Sequence, residues 1–234
     1  MRLPQVLSLP ERFAIWQGRR RELLLIAAFA VIAGLILGFG LLTEEVLEGD
    51  TAAFDRVVVV ALRSNGDLGD PIGPAWLEEG ARDVTALGSF AFLGILTFGV
   101  VGYLLLTRRP SLAGLVAAAV LGGVLISNVL KLVFERARPD LPTTVKVFTA
   151  SFPSGHATLS AISFLTLGAL LAQATPDPRL KAYFALLAIV LTVAVGTSRV
   201  YLGVHFASDV LAGWCIGSAW ALLCWTVAHW LRTR

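Results

Sequence analysis

Long apolar runs separated by short polar segments dominate the pattern of this 234-residue chain. Several runs reach the roughly 20 residues that a transmembrane helix needs. They lack the alternation of a β-strand, and in lipid only helices and closed barrels satisfy all backbone hydrogen bonds. We therefore predict an all-α, polytopic membrane protein built as a bundle of six transmembrane helices. The predicted spans cover residues 23–43, 86–106, 111–132, 157–174, 183–200 and 208–230.

Composition agrees with this class of protein. The chain is 56% hydrophobic and 15% charged, with a mean hydropathy of +0.78, which is too apolar for an ordinary soluble domain. No shift in composition marks a second domain, so we expect one membrane-embedded domain over residues 1–234. The formal net charge of +3 carries no basic footprint for nucleic acid, so the expected partner is the bilayer itself.

Three polar clusters interrupt the apolar pattern between residues 131 and 209. They have the forms K-x(6)-R-P, P-S-G-H and S-R-x(5)-H-x(3)-D, and they consist of Lys131, Arg138 and Pro139; Pro153, Ser154, Gly155 and His156; and Ser198, Arg199, His205 and Asp209. Together they supply cations, two imidazoles, a carboxylate and a glycine turn. Such a set can hold a phosphate, attack its phosphorus and protonate the departing oxygen.

The cations and the glycine turn form the candidate phosphate-binding group. Arginine suits bidentate contact with phosphoryl oxygens and lysine acts as a point charge, which points to Lys131, Arg138 and Arg199. Ser154 is a candidate N-cap whose hydroxyl can also meet a phosphate oxygen, and the N–H of Gly155 lies at a helix start that favours anions. Snorkelling at the membrane interface is the alternative role for the first two cations, and a plain helix cap is the alternative for the serine.

The histidines and the aspartate form the candidate catalytic group. We expect His205 and Asp209 to enter the last helix four residues apart and to share one face, where the carboxylate accepts the imidazole N–H and leaves the other nitrogen free as a nucleophile. A purely structural His–Asp pair is the alternative. His156 falls in the first turn of the fourth span, at the mouth of the anion site. Nearby, Glu135 is a candidate ion-pair partner for Arg136.

In this order and register, the three clusters resemble the signature of the type 2 phosphatidic acid phosphatase superfamily, lipid phosphatases related to vanadium haloperoxidases and glucose-6-phosphatase. The resemblance implies that the residue matching His205 attacks phosphorus to give a phosphohistidine, that Asp209 orients it, and that His156 protonates the leaving oxygen. It also implies that the remaining signature residues bind the phosphoryl oxygens. These are Lys131, Arg138, Ser154, Gly155 and Arg199.

The resemblance favours a lipid phosphate as substrate: phosphatidylglycerol phosphate, phosphatidate, undecaprenyl pyrophosphate or a lipid A phosphate. We expect no cofactor and no metal, because three cations can neutralise the phosphoryl charge. A phosphotransferase acting between lipids is the main rival, while a vanadate-dependent haloperoxidase and a transporter are further ones. Oligomeric state stays open, since the G-x-x-x-G pairs Gly34/Gly38 and Gly213/Gly217 serve packing within a bundle as well as between protomers.

Loop charges predict the orientation. Eleven of the nineteen Lys and Arg residues fall in the two tails and in the loops near residues 108–109 and 179–181, so that side should face the cytoplasm. We therefore expect a multi-pass protein of the cell (inner) membrane with both termini in the cytoplasm and the three clusters facing the periplasm or extracytoplasmic side. The 44–85 loop lies outside too. Its apolar 54–62 stretch, its turn at 64–67 and its short 74–83 helix predict interfacial helices resting on headgroups, a lid beside the site, or both.

Overall fold

The computed structural model describes residues 9–142 and 149–232, with side chains described for 22–142 and 149–231. Eight helices and one pair of strands lie in that part of the chain. They are α1 (Leu9–Glu48), α2 (Ala52–Ala61), β1 (Arg63–Ser64), β2 (Asp67–Pro71), α3 (Ala75–Ala86), α4 (Phe90–Leu106), α5 (Pro110–Phe134), α6 (Gly155–Ala174), α7 (Pro178–Tyr201) and α8 (Ala207–Arg232).

The membrane-spanning helices follow the apolar runs. Five helices (α1 from Glu22, α5, α6, α7 and α8) are long and apolar enough to cross a bilayer, and α3 with α4 forms a sixth candidate that is bent by 46°. The predicted all-α, polytopic class is therefore confirmed. α7 starts five residues before its predicted span, because Pro178 suits the first helical position and the Asp177 side chain accepts a 2.8 Å hydrogen bond from the N–H of Arg179.

The segment after α1 contains more structure than two interfacial helices. Between α2 and α3, the antiparallel strands β1 and β2 form a small hairpin, which is the one departure from an all-helical chain among the described residues. Its turn includes Gly66 at a φ of +95°, a conformation that glycine adopts without a steric penalty. The Ser64 hydroxyl donates a 2.9 Å hydrogen bond to Asp70 across the hairpin.

α6 is the central helix of the bundle and packs against α5, α7 and α8. Its Leu159, Ile162 and Phe164 belong to the main buried apolar cluster. α8 approaches α6 closely, since a Cβ at Gly213 would lie 2.8 Å from the Ser154 carbonyl oxygen and one at Gly217 would lie 2.5 Å from the carbonyl oxygen of residue 158. This G-x-x-x-G pair therefore packs two helices within the bundle.

The segment between α1 and α4 is attached to one end of this bundle. α3 packs against α7. The buried Arg63 side chain donates hydrogen bonds to the carbonyl oxygens of Val200 (3.3 Å) and Tyr201 at the last turn of α7. A cation suits that position because the carbonyl end of a helix carries a partial negative charge. The same end holds the final turn of α5 and the first turns of α6 and α8, and thus all three sequence clusters.

Candidate active site

Four helix ends position the candidate residues. Lys131 is in the last turn of α5, and Arg138 follows in the connection to α6. Gly155 and His156 begin α6, and Arg199 is in the last turn of α7. The structure therefore brings the three clusters to one place, although up to 78 residues separate them along the chain (131 to 209).

His205 lies in the connection between α7 and α8, two residues before α8 begins. The expectation that it sits on the last helix is therefore wrong, because the helix starts only at Ala207. The pairing itself is present: His205 Nδ1 lies 3.4 Å from Asp209 Oδ2, and the two side chains are 2% and 0% exposed. Pairing survives without a shared helical face because the Asp209 side chain folds back over the helix start, where Oδ2 accepts a 2.9 Å hydrogen bond from the Phe206 N–H.

Additional donors hold the Asp209 carboxylate. The Ser151 hydroxyl donates a 2.5 Å hydrogen bond to Oδ2 and lies 3.3 Å from His205 Nδ1. Arg136 donates through Nη1 to Oδ1 at 2.6 Å. A carboxylate fixed at both oxygens presents Oδ2 to the imidazole in one orientation. The expected Glu135–Arg136 pair is wrong, because the backbone turns into a left-handed conformation at Glu135 (φ 42°) and leaves that side chain exposed.

A cation lies beside the other ring nitrogen of His205. Arg138 Nη1 lies 3.0 Å from His205 Nε2 and donates a 2.6 Å hydrogen bond to the carbonyl oxygen of Val204. Its Nε donates to the carbonyl oxygen of Thr149 at 2.8 Å. Lys131 Nζ donates to the neighbouring Ala150 carbonyl oxygen at 2.6 Å. Arg138 is thereby fixed beside the nitrogen that is free of the aspartate, and both cations of the first cluster are bound to the backbone at residues 149–150.

Arg199 and His156 complete the group of charges. Arg199 is buried, with 5% of its surface exposed. Its Nη1 donates a 3.0 Å hydrogen bond to the Thr85 hydroxyl at the end of α3. His156 interacts electrostatically with Arg199, His205, Arg138 and Lys131. The bend between α3 and α4 brings Gly88 against this histidine, since a Cβ at that position would lie 3.3 Å from His156 Cδ2.

Ser154 and Gly155 build the turn that leads into α6. Ser154 is the N-cap, and its side chain accepts a 3.5 Å hydrogen bond from the Ala157 N–H. Its own N–H donates to the Asp209 carbonyl oxygen at 3.0 Å, which joins the second cluster to the third. Gly155 faces Lys131, because a Cβ there would lie 3.5 Å from Lys131 Cε. Phe152 anchors the turn by packing on Phe134 at 5.3 Å between ring centroids.

Burial controls the protonation of His205. Burial lowers the pKa of His205 to about 3, although the hydrogen bond to Asp209 acts in the opposite direction. The imidazole is therefore neutral at physiological pH, which is the state that carries a nucleophilic lone pair. Burial also lowers the pKa of Arg138, yet arginine stays protonated in proteins.

The donor set of the site consists of nitrogen cations and imidazoles. Among the residues that the structure describes, no group of three or more His, Cys, Asp or Glu side chains is arranged to hold a metal ion. The available groups can bind the oxygens of a phosphoryl group, attack its phosphorus from His205 Nε2 and exchange a proton at His156.

The sequence does not predict the positions of three residues at the site. Asp55 and Thr85 lie in the 44–85 segment, whose pattern predicts interfacial helices or a lid, and the partner that the sequence predicts for Arg136 is wrong. A signal for the first was available: a carboxylate inside the apolar 54–62 stretch is costly near a membrane unless it has a partner. Nothing in the spacing identifies that partner, because Asp55 and Arg136 are 81 residues apart.

Comparison with known proteins assigns the family. A sequence model described as the PAP2 superfamily matches residues 112–233, which include all three clusters. The chain belongs to the PAP2 superfamily. This confirms the resemblance to the type 2 phosphatidic acid phosphatases and makes the chain a membrane phosphatase.

Individual PAP2 proteins resemble most of the chain. It is 34% identical over 185 residues to phosphatidylglycerophosphatase B of Bacillus subtilis, covering 78% of this chain and 85% of that protein. It is also 34% identical over 194 residues to lipid A 1-phosphatase of Rhizobium etli, covering 72% and 79% of the two chains. The crystal structure of the PAP2 type phosphatidylglycerolphosphate phosphatase from B. subtilis superposes with a TM-score of 0.79 at 29% identity, covering 87% of this chain and 98% of that one.

Proposed function

We propose that this PAP2 phosphatase hydrolyses the phosphate monoester or pyrophosphate of a membrane lipid through a phosphohistidine on His205. The observation that carries the proposal is the setting of one buried imidazole. Its Nδ1 faces Asp209, while its Nε2 lies 3.0 Å from Arg138 Nη1 in a group that includes Lys131, Arg199 and His156.

The first chemical step is attack on phosphorus. The Nε2 lone pair of His205 forms a bond to phosphorus while the bond from phosphorus to the lipid oxygen breaks. Asp209 accepts the Nδ1–H and stabilises the positive charge that develops on the ring. His156 donates a proton to the departing oxygen. The cations of the site, together with the Gly155 N–H, bind the non-bridging oxygens, where charge accumulates in the transition state.

The second step releases phosphate. A water molecule attacks phosphorus, His156 takes a proton from that water, and the bond between phosphorus and Nε2 breaks. Inorganic phosphate leaves and His205 returns to its neutral state. One histidine can serve both steps, because the acid that gives up its proton in the first step is left as a base for the second.

Phosphatidylglycerol phosphate is the first substrate to test. Two relatives, covering 78% and 87% of this chain, carry the names phosphatidylglycerophosphatase B and phosphatidylglycerolphosphate phosphatase. Phosphatidate, undecaprenyl pyrophosphate and lipid A phosphate complete the panel, and released phosphate is the readout. Transfer of the phosphoryl group to a second lipid instead of water would favour the phosphotransferase.

We also propose an orientation with both termini in the cytoplasm and the site at the extracytoplasmic boundary. Arg108, Arg109, Arg179 and Lys181 lie at the ends of the helices opposite the site, and basic residues favour the cytoplasmic side. Arg2 and Arg234 lie outside the described residues, as do the side chains of the basic residues at positions 12, 19–21 and 232.

The roles of the two histidines are tested by trapping the covalent intermediate. His205→Ala should abolish both hydrolysis and any acid-labile phosphoenzyme formed from ³²P-labelled lipid. His156→Ala should still form phosphoenzyme from p-nitrophenyl phosphate, because a good leaving group needs no proton donor. Phosphoenzyme in His205→Ala but none in His156→Ala would reverse the assignment.

A further inference from the structure

Arg136 bridges two buried carboxylates at the start of α8. Its Nη1 donates to Asp209 Oδ1 at 2.6 Å and its Nη2 donates to Asp55 Oδ2 at 2.8 Å, and both carboxylate side chains are 0% exposed. Nη1 also donates to the Ser208 hydroxyl at 2.8 Å. The guanidinium plane lies over the Phe206 ring, 4.6 Å from its centroid. The orientation of this guanidinium is therefore fixed by polar contacts at both ends and by an aromatic ring beside it.

Asp55 binds the same helix start from the opposite direction. Its Oδ1 accepts a 3.0 Å hydrogen bond from the Ser208 N–H, and its Oδ2 accepts a 2.5 Å hydrogen bond from the Ser208 hydroxyl. The first N–H groups of a helix lack partners within the helix and favour negative charge. Asp55 on α2 supplies a hydrogen-bond acceptor and a negative charge to this helix start. The segment between α1 and α4 is thereby joined to the residues next to His205.

From this geometry we propose that Arg136 and Asp55 are positioning residues that act through Asp209 on His205. The inference rests on the proposed role of His205 as the nucleophile. Arg136 fixes Oδ1, so the carboxylate cannot rotate and Oδ2 stays directed at Nδ1. That contact keeps the proton on Nδ1 and leaves the Nε2 lone pair facing the phosphate-binding cations.

Asp55 has an electrostatic part in this arrangement. A lone guanidinium beside Asp209 would cancel the negative charge that stabilises the ring as it becomes an imidazolium. With both carboxylates ionised, the group of Asp55, Arg136 and Asp209 has a net charge of −1, so one negative charge remains available to His205. Arg136 acts on the carboxylates, whereas Arg138 Nη1 lies beside His205 Nε2 itself.

Arg136→Lys is the first test, because it keeps the charge but offers one nitrogen in place of a planar fork. The kcat for p-nitrophenyl phosphate should fall roughly 10- to 100-fold, the size of loss seen when the hydrogen-bond partner of a metal-binding histidine is removed, while KM changes by less than about twofold. A raised KM with an unchanged kcat would mean that Arg136 binds substrate and would overturn the proposal. An unchanged kcat and KM would overturn it as well.

A double-variant cycle separates positioning from a general structural effect. In an Asp209→Asn background, Arg136→Lys should lower kcat by less than about twofold further, because its effect passes through the residue already changed. If the two decreases in kcat instead multiplied fully, Arg136 would act independently of Asp209 and the proposal would be overturned. Arg82→Gln is the matched control, since Arg82 pairs with Glu78 on the exposed face of α3, and this substitution should leave both constants unchanged.

A measurement without turnover keeps the inference distinct from the proposed function. In ¹⁵N-histidine NMR, wild-type His205 should carry its proton on Nδ1, and Arg136→Lys should increase the population protonated on Nε2. Failure of the wild type to form a phosphoenzyme would refute the nucleophile, while the tautomer shift would still establish the positioning. If Arg136→Lys does not fold, Asp55→Asn decides: a lower kcat at constant KM supports the proposal, and unchanged kinetics overturn it.

Discussion

At the scale of single residues, two arginines two positions apart contact different parts of the His205–Asp209 pair. Arg138 reaches Nε2 of His205, and Arg136 reaches the carboxylate on the other side of the ring. A polar side chain in an apolar setting is stable only where its hydrogen-bonding groups have partners. The buried histidine, its aspartate and these arginines meet that requirement together, so each of them depends on the others for its position.

The burial of His205 gives a prediction for its titration. Since its pKa is lowered to about 3, the imidazole should stay neutral from pH 8 to pH 5, whereas an unstructured histidine with a pKa of about 6.5 becomes mostly protonated. ¹⁵N-histidine NMR measures this, and the resonance is identified by its loss in His205→Gln. A midpoint near 6.5 would contradict the expected burial.

The same shift has a consequence for stability. Below about pH 6.5 the unfolded chain binds a proton at His205, but the folded chain binds it only near the lowered pKa. Protonation therefore favours unfolding, and this residue's contribution to stability is present above about pH 6.5 and decreases as the pH falls towards 3. Thermal unfolding in detergent should show that stability decreases less at low pH in His205→Gln, because glutamine has no group that titrates.

At the scale of elements, the contact between α6 and α8 decides the geometry of the site. α6 begins with the second cluster and α8 carries Asp209 near its start, and the hydrogen bond from the Ser154 N–H to the Asp209 carbonyl oxygen joins them. Two glycines of α8 allow this approach, because α6 backbone occupies the space where their side chains would be.

Gly217→Ala should therefore separate the two helices. Its Cβ would lie 2.5 Å from the carbonyl oxygen of Thr158, and an overpacked contact typically costs about 1–3 kcal/mol. Thermal unfolding in detergent should show this loss. Gly34→Ala is the matched control from the other G-x-x-x-G pair, since its Cβ would meet no described atom within 4 Å. Equal stability of the two variants would contradict the close contact.

At the scale of the whole molecule, the ends of the bundle differ in chemistry. One end holds the buried charges of the site together with α2, the hairpin and α3, and the other holds short basic turns. This difference is the physical basis of the proposed orientation, because basic loops stay on the cytoplasmic side. In the proposed orientation, substrate would reach the site from the extracytoplasmic half of the bilayer.

Cysteine labelling in intact cells tests that orientation. In a background with Cys215→Ala and Cys224→Ala, Asn65→Cys should react with a membrane-impermeant maleimide, because Asn65 is exposed in the turn of the hairpin. Ser111→Cys, exposed at the start of α5 on the opposite end, should react only after the cells are permeabilised. The opposite pattern would place the site in the cytoplasm.

The sequence by itself determined the class of fold, the spans and the three clusters. A membrane span is a local property, set by the length and apolarity of one run of residues. The turn at Ser64–Asp67 and the cap at Ser154 are local as well, because each depends on neighbouring residues alone. The order of the clusters was enough to identify the family, since their residue types and spacing lie within the chain itself.

Only the tertiary structure decided how the clusters join. It placed His205 before the last helix, gave Arg136 two buried carboxylates as partners, and brought Asp55 and Thr85 into the site. These contacts join residues 73 to 114 positions apart. Such pairs depend on how whole helices pack, and side-chain packing across helices has no periodic signal in the sequence. The carboxylate that reaches Asp209 through Arg136 therefore comes from a segment whose own sequence predicted interfacial helices or a lid.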